Sequence, residues 1–323
     1  MDIFTMLYLL IGGLLAVYGS ASIVVATVRK PNLRHNCNIF IAFQAVCLLC
    51  QAIGTLNILL LSLFDSLDQP AIHCFFIQLV PQFSMTCGVC FALVIGVDRL
   101  ISVKWPHVYS KIEPIPYIPA VCLLPCSVAL FVEVCAYYMA FVSSEKTVLC
   151  TINGVLVLRE NYLFYLHFLH AFVAVATLLI YMQMWRTAKD FPLQTRRLIK
   201  SLFAIVISFV ITWLVTSGLL SVVYIAGIQD PYRFAIRLLT LGSISLCGFF
   251  DFVIYYNMNS EYRQAFQEQM CFSPQRQTNF QVKMLRRKNK PLQFKARTAA
   301  AANIRIVDKP VDESTFTNNE TQQ

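Results

Sequence analysis

The chain has 323 residues, of which 57% are hydrophobic and only 13% are charged, and its net charge is +9. A soluble domain carries about 25% charged residues, so this composition excludes an ordinary soluble protein and predicts an all-α membrane protein. The positive charge does not indicate nucleic-acid binding, because the basic residues lie between and after apolar segments, as in the inner loops of membrane proteins.

Seven apolar segments are long enough to cross a bilayer, which takes about 20 residues. They cover approximately residues 4–28, 38–61, 74–103, 115–141, 162–184, 198–227 and 234–256. The first segment lacks a basic leader and is longer than the roughly 7–15 residues of a cleavable signal core, so we interpret it as an uncleaved helix. The pattern predicts a seven-transmembrane helix bundle.

Lysine and arginine are distributed unevenly between the two sides of the predicted bundle. All but four of the 26 lie at or after the inner ends of the first, third and fifth spans or in the C-terminal tail. The four exceptions are Lys146, Arg159, Arg233 and Arg237. Because short loops rich in Lys and Arg stay in the cytoplasm, we predict an extracellular N-terminus and a cytoplasmic C-terminus at the plasma membrane.

A short amphipathic helix is predicted over residues 261–272, directly after the seventh span. Tyr262, Phe266 and Met270 recur there every four residues, which gives one apolar stripe. Such a stripe is typical of a helix that lies on the membrane surface. Cys271 at the end of this helix is either a palmitoylation site or a plain free cysteine.

The receptor domain is predicted to cover residues 1–272, and the remaining residues 273–323 form a tail. The tail is basic over residues 283–297 and then polar with Ser and Thr, a composition typical of disorder. The basic run either attracts anionic membrane lipid, at about 1 kcal/mol per charge, or is only a solvated segment.

The twelve cysteines divide by the side of the membrane on which they are predicted. Only Cys74 and Cys150 fall at the outer face, in the oxidising compartment, whereas the others lie in or near spans or on the cytoplasmic side. One pair in the right place favours a disulfide between them. The alternative is two free thiols.

The third span ends in a conspicuous triplet, Asp98-Arg99-Leu100, which closes an otherwise uncharged run from Cys74. A charge at the centre of an inserted helix costs about 2.5 to 3.5 kcal/mol, so the acid-base pair is expected at a membrane boundary with a function of its own. The alternative reading is simple anchoring at the interface.

These features resemble those of rhodopsin-like G-protein-coupled receptors over almost the whole chain, residues 4–272. Cys74 lies 25 residues before Arg99, the separation that the family has between its disulfide cysteine and the arginine of its Asp-Arg-Tyr motif. Pro106 stands at the family's usual place in the second inner loop. Further matches are Phe209 and Trp213, as in the sixth-span Phe-x-x-x-Trp, and Asp251 and Tyr255, as in the seventh-span Asn/Asp-Pro-x-x-Tyr.

The departures from the common receptor pattern are specific. Leu48 replaces the second-span carboxylate, and Thr195 stands near the place of the sixth-span acid. The prolines expected after Trp213 and at Phe252 are missing. With this drift the chain most resembles the nematode serpentine chemoreceptors of class SX.

The resemblance implies a chemosensory receptor that activates a heterotrimeric G protein. Asp98 would hold Arg99 by a charge-assisted hydrogen bond in the silent receptor, and Arg99 would turn to Tyr181 or Tyr255 when the inner ends of spans five to seven separate. The resemblance also implies that arrestin binds the tail and that the receptor lies in sensory cilia. The implied switch comprises Asp98, Arg99, Leu100, Pro106, Tyr181, Phe209, Trp213, Asp251 and Tyr255.

The ligand is expected among the few polar groups of the outer half of the bundle. The candidates are Gln78, Gln82, Met85, Thr86, Glu133, His167, His170 and Trp213. A carboxylate within a span is a functional candidate by default, although Glu133 and His167 could simply pair with each other. Pro81 stands where monoamine receptors carry an aspartate, and Ser245 where opsins carry the retinal lysine. A small chemical or a short peptide remains.

The main alternative is a seven-span transporter or ligand-gated channel subunit, whose N-terminus would be inside. The sequence holds no Gly-rich phosphate loop, no His-Cys metal spacing and no nucleophile motif, so we expect neither an enzyme nor a bound metal or cofactor.

Overall fold

The computed structural model describes residues 3–158, 160–187, 193–228 and 232–270. Over residues 193–202 it describes the backbone but not the side chains, which include Thr195. Cys271, with its two alternatives of palmitoylation or a free thiol, the basic run and the arrestin contact fall on residues outside the described part of the chain.

Helices form almost all of the described structure. They are α1 (Ile3–Arg29), α2 (Asn36–Leu63), α3 (Ala71–Lys104), α4 (Pro106–Tyr109), α5 (Pro114–Val142), α6 (Glu160–Thr187), α7 (Leu193–Ile225), α8 (Tyr232–Ser245), α9 (Cys247–Met258) and α10 (Ser260–Met270). Two short strands, β1 (Asp68–Pro70) and β2 (Thr147–Leu149), and 3₁₀ turns at Pro31–Leu33 and Leu156–Leu158 lie in the connections.

Seven helical segments of the described chain are long and apolar enough to span a membrane: α1, α2, α3, α5, α6, the Phe203–Val223 part of α7, and Phe234–Met258, which combines most of α8 with α9. The predicted seven-transmembrane bundle is confirmed. α3 lies at the centre of the bundle and packs against α2, α5 and α6. Large apolar side chains such as Phe131 and Phe172 remain exposed on the outer surface, where a lipid bilayer would solvate them.

One end of the bundle, here called the disulfide end, is organised by Cys74 and Cys150. The two cysteines form the predicted disulfide, with their Cα atoms 5.2 Å apart. β1 and β2 pair antiparallel beside it, with Gln69 opposite Val148. The backbone amide of Cys150 also donates to Leu67 O at 2.7 Å. These bonds fix the loop that follows Cys150 against the start of α3.

The seventh span is broken between α8 and α9 although it carries no proline. Leu246 separates the two segments and keeps nearly helical dihedrals, φ −62° and ψ −16°. Beyond the break, α9 approaches α1 closely, because a Cβ on Gly19 would lie 2.6 Å from Gly248 O. At the position of the missing proline, the Phe252 ring packs against Phe266 at 4.6 Å between centroids.

The predicted eighth helix is present as α10, and its apolar stripe differs from the expectation in one respect. Tyr262 and Phe266 are fully buried in the bundle, and only Met270 is half exposed. Tyr262 packs on Tyr255, with ring centroids 4.7 Å apart, and shares a 3.2 Å hydrogen bond with Thr27. The stripe therefore mainly joins α10 to α1 and α9 rather than resting on a lipid surface.

Candidate ligand cavity and signalling switch

A cavity of about 90 Å³ opens at the disulfide end between α3, α6, α7 and α8. The loop after Cys150 contributes to its wall, because Thr151, Ile152 and Asn153 fold inward and are buried. This space, called here the disulfide-end cavity, is lined by Met85, Thr151, Ile152, Asn153, Leu163, Phe164, His167, Trp213, Thr216, Ser217, Leu220, Ser221, Val223, Arg237, Leu238, Thr240, Leu241 and Ile244.

Three of the ligand candidates line this cavity, namely Met85, His167 and Trp213. The others are Gln78, Gln82, Thr86, Glu133 and His170, which are buried in the bundle and do not belong to the described lining.

The alternative to a binding role for Glu133 and His167 is that the two residues pair with each other. Within the described structure both carboxylate oxygens of Glu133 lack a hydrogen-bond partner, so this pairing is not formed. His170 instead meets the Trp213 ring edge-on, with centroids 4.8 Å apart. Glu133 sits on α5 and the two histidines on α6.

Several lining residues were not among the sequence candidates. Asn153 adopts a left-handed backbone with φ 70°, and its Nδ2 points to Met85 Sδ at 4.0 Å. The Asn-Gly dipeptide at residues 153–154 is a turn signal that could have located this bend. Arg237 was used only as a topology marker. The hydroxyls of α7 and α8 gave no signal, because serine and threonine are common in membrane helices.

The helix that carries Trp213, α7, also contributes to the wall of a second space in the bundle. This smaller cavity, of about 10 Å³, is lined by Gln44, Ala92, Ile95, Tyr181, Ile205, Val206, Phe209 and Tyr255. Phe209 lies one helical turn from Trp213 on α7, and their ring centroids are 6.0 Å apart. One helix thus presents neighbouring aromatic rings to both cavities.

Asp98 lies at the opposite end of the bundle, the Asp98 end, and is 1% exposed. Its Oδ1 accepts hydrogen bonds from Tyr109 Oη at 3.0 Å and from Tyr117 Oη at 2.9 Å. The predicted Asp98–Arg99 hydrogen bond is wrong for this structure. Adjacent helical residues point about 100° apart, so the Asp98 carboxylate reaches toward α4 and α5 while Arg99 faces elsewhere.

Pro106 has a local role in building this site. It occupies the first turn of α4, where a missing amide hydrogen costs nothing. The single turn that it begins brings Tyr109 back to Asp98. Burial, and then the Asp98 carboxylate, raise the pKa of the Tyr109 phenol, so the phenol remains a hydrogen-bond donor at physiological pH.

Arg99 is half-buried and faces α2 and α6. Its guanidinium lies within electrostatic range of the Cys37 thiol and of Tyr181. Leu100 packs beside it at the edge of the core. Tyr181 itself rests on Gly96, where an added Cβ would lie 2.7 Å from the Tyr181 ring. Tyr181, one of the two residues predicted to meet Arg99 in the active receptor, therefore lies near Arg99 in this structure as well.

A comparison of the sequence with family profiles identifies the family. The sequence profile of the serpentine type 7TM GPCR chemoreceptor Srsx family matches residues 13–270. The chain belongs to this family. No curated protein matches the sequence.

Membership of the Srsx family confirms the class SX prediction and makes the chain a multi-pass membrane protein of the chemosensory receptor type. Srsx receptors are receptors rather than enzymes, and their partners at this coarse level are a ligand and a G protein. In this Srsx chain Leu48, predicted to stand at the position of the second-span carboxylate, packs against α9, its Cβ 3.6 Å from a Cβ placed on Gly248. Asp251 is buried one turn from Tyr255 on the same helix.

Proposed function

We propose that this Srsx receptor binds a small chemical in the disulfide-end cavity and activates a heterotrimeric G protein at the Asp98 end. One observation carries the proposal: α7 places Trp213 in the wall of the first cavity and Phe209 in the wall of the second. A ligand that moves the Trp213 ring must therefore also disturb the packing next to Tyr181 and Tyr255.

The size of the disulfide-end cavity favours a small molecule over a short peptide. Its volume of about 90 Å³ is below the ~150 Å³ of an engineered protein cavity that accepts benzene. The buried loop residues 151–153 further restrict the entrance. A ligand with a few carbon atoms and one polar group fits this space.

The arrangement at the Asp98 end has the features of a silent state. Tyr109 and Tyr117 hold Asp98, Arg99 rests near Cys37 and Tyr181, and the smaller cavity of about 10 Å³ leaves no room for a partner helix. Ligand binding would favour a second packing in which α6, α7 and α9 separate and Arg99 faces the G protein. This is a population shift between two states of one bundle.

The topology that this function needs is the predicted one. The disulfide end would face the outside, where the ligand is found, and the Asp98 end the cytoplasm. A receptor in the plasma membrane of a sensory cilium would have access to both the outside and the cytoplasm. The basic tail would contact anionic lipid and arrestin. The support for this orientation is the concentration of Lys and Arg at the Asp98 end.

Replacement of Arg99 tests the coupling. Cells that express the receptor are screened with small odorants for a cAMP or calcium response, and Arg99→Ala is compared with Asp98→Asn at equal surface levels. We expect Arg99→Ala to abolish the response without loss of ligand binding. Arg29→Ala, an exposed arginine at the end of α1, is the matched control. Unchanged responses in both Arg99→Ala and Asp98→Asn would refute G-protein coupling through this site. A ligand-gated current in the absence of a G protein would favour the channel alternative.

A further inference from the structure

Two hydrogen-bond donors on α7 indicate which chemical group the disulfide-end cavity recognises. We infer that the ligand is a small neutral carbonyl compound, whose oxygen accepts hydrogen bonds from the Trp213 indole and the Ser217 hydroxyl. This inference rests on the proposed function of the cavity as the ligand site, and it adds the chemical class of the ligand.

Both donors belong to buried residues in the wall of the cavity. Trp213 is 2% exposed and Ser217 is 5% exposed, and both line the cavity. Neither the indole Nε1 of Trp213 nor the Oγ of Ser217 has a hydrogen-bond partner in the described structure. Buried polar groups without a partner are rare in folded proteins, so each of the two requires an explanation. A ligand that supplies an acceptor explains both.

The neighbouring polar groups do not use these two donors. The His170 ring meets the Trp213 ring edge-on at 4.8 Å, yet both His170 nitrogens also lack a partner in the described part of the chain. The hydroxyls of Thr216 and Ser221, on either side of Ser217, donate at 2.8 Å to backbone carbonyl oxygens of α7. Ser217 therefore differs from these two hydroxyl residues of the same helix, because its own hydroxyl remains available.

The spacing of the two donors suits a single ligand oxygen. Trp213 and Ser217 are four residues apart on the continuous helix α7, so their side chains leave the same face one turn apart. A carbonyl oxygen has two lone pairs and carries no hydrogen, so it can accept from both donors without bringing a further donor that needs a partner. Both protein groups are uncharged, so this contact requires no charge on the ligand.

The position of the donor atoms links recognition to movement. The Nε1 of Trp213 and the Oγ of Ser217 are covered by neighbouring groups in this structure. The ligand oxygen would reach them only when the indole ring and the hydroxyl turn toward the cavity. The new hydrogen bonds would then stabilise the turned position only while the ligand is bound. Recognition of the carbonyl would thus be the same event as the movement of Trp213 that the proposed function requires.

The other polar lining groups carry no part of the inference. Arg237 already takes part in another interaction, so no ligand contact is assigned to it. The unpartnered Nδ1 of His167 can donate or accept, depending on the tautomer, so it favours no class of ligand. Asn153 has an unpartnered acceptor, Oδ1, to which a hydroxyl group could donate and a carbonyl could not. An alcohol is therefore the competing class of ligand.

The volume and the apolar wall limit the rest of the ligand. The cavity of about 90 Å³ is smaller than the ~150 Å³ that accepts benzene, and Met85, Leu238, Leu241 and Ile244 contribute apolar surface. Propanone and cyclobutanone have fewer heavy atoms than benzene and are suitable probes. Propan-2-ol and cyclobutanol are the corresponding alcohols. In 2-methylpropene a CH₂ group replaces the oxygen of propanone, so this probe keeps the shape and removes the acceptor.

The test observes the indole hydrogen directly and needs no G protein. The full-length receptor is labelled with ¹⁵N-tryptophan and studied by NMR in lipid nanodiscs. It contains three tryptophans, Trp105, Trp185 and Trp213, and only Trp213 lines the cavity. The other two are therefore internal controls, and Trp105→Phe and Trp185→Phe assign the Trp213 signal by elimination. We expect a ketone to move the Trp213 indole proton signal downfield, as a new hydrogen bond does, and 2-methylpropene to leave it in place.

Variants then measure the contribution of each donor to binding. Binding to the folded state raises the unfolding temperature, so ketone affinity follows from thermal unfolding at increasing ketone concentration. Ser217→Ala and Trp213→Phe should each weaken ketone binding by about 2- to 10-fold, the loss typical of one neutral hydrogen bond. Ser221→Ala is the matched control, because Ser221 also lines the cavity but donates its hydroxyl hydrogen to Ser217 O. This variant should bind as the wild type does.

Three results would overturn the inference. They are an unchanged Trp213 signal at millimolar ketone, tighter binding of the alcohols than of the ketones, and equal ketone affinity in the wild type and Ser217→Ala. The proposed function fails separately. A receptor that binds ketones through Trp213 but never activates a G protein would contradict that function alone. G-protein activation by a molecule without an acceptor, unaffected by Ser217→Ala, would contradict only the carbonyl.

Discussion

The two hydrogen bonds to Asp98 provide a direct test of the silent state. Tyr109→Phe and Tyr117→Phe each remove one hydroxyl and keep the ring, including the edge-on packing of Tyr117 against Phe40 at 6.0 Å. A hydrogen bond to a charged group contributes about 1.5–3 kcal/mol. If the bond exists only in the silent state, its loss shifts the silent-to-active ratio by about 10- to 150-fold.

The expected change in basal signalling follows from this ratio. A receptor that is active about 1% of the time without ligand would become active about 10 to 60% of the time in either single variant. The assay is ligand-independent nucleotide exchange on a G protein in membranes, normalised to receptor number. Because both phenols donate to the same oxygen, the effects of the two substitutions should not add in the double variant.

The control and the contrary result are both well defined. Tyr138 is 61% exposed and lies on α5, the helix that also carries Tyr117, so Tyr138→Phe should leave basal exchange unchanged. If the double variant Tyr109→Phe/Tyr117→Phe reaches the surface with wild-type basal exchange, the tyrosines do not hold the silent state. A lower unfolding temperature without raised basal activity would show that the two bonds persist in both states.

Three further predictions concern the disulfide, a helix contact and the topology. Cys74→Ser and Cys150→Ser should each reduce surface delivery. In the loop-entropy model, a bond that closes a separation of 76 residues contributes about 4–5 kcal/mol to the free energy of unfolding. Additive losses in the double variant would exclude the bond. Gly96→Ala should lower stability by about 1–3 kcal/mol in thermal unfolding because the new methyl group meets Tyr181, whereas Gly218→Ala, with open space around it, should not. An N-terminal tag should bind antibody on unpermeabilised cells, and accessibility of a C-terminal tag alone would reverse the topology.

The seven spans could be predicted from sequence because each is a long apolar run with few charges, and membrane helices require little else. The Cys74–Cys150 bond could also be predicted, since the positive-inside pattern leaves only these two cysteines at one face. The partners of Asp98 could not. Tyr109 and Tyr117 reach it from a connecting turn and from the next helix, and such contacts depend on tertiary packing that no periodicity encodes. The sequence also favoured Glu133, whereas the cavity is lined by Arg237 and donors on α7.

The length and continuity of α7 have a mechanical consequence. The helix runs unbroken from Leu193 to Ile225 and contains no proline, so no weak joint divides it at Trp213. At 1.5 Å per residue, about 30 Å of helix separates Trp213 from Leu193. A rigid lever of that length that tilts by about 5° at the cavity displaces its far end by about 2.6 Å. A small molecule would thus need to rotate one indole ring only slightly to produce a movement at the Asp98 end comparable to the width of a water molecule.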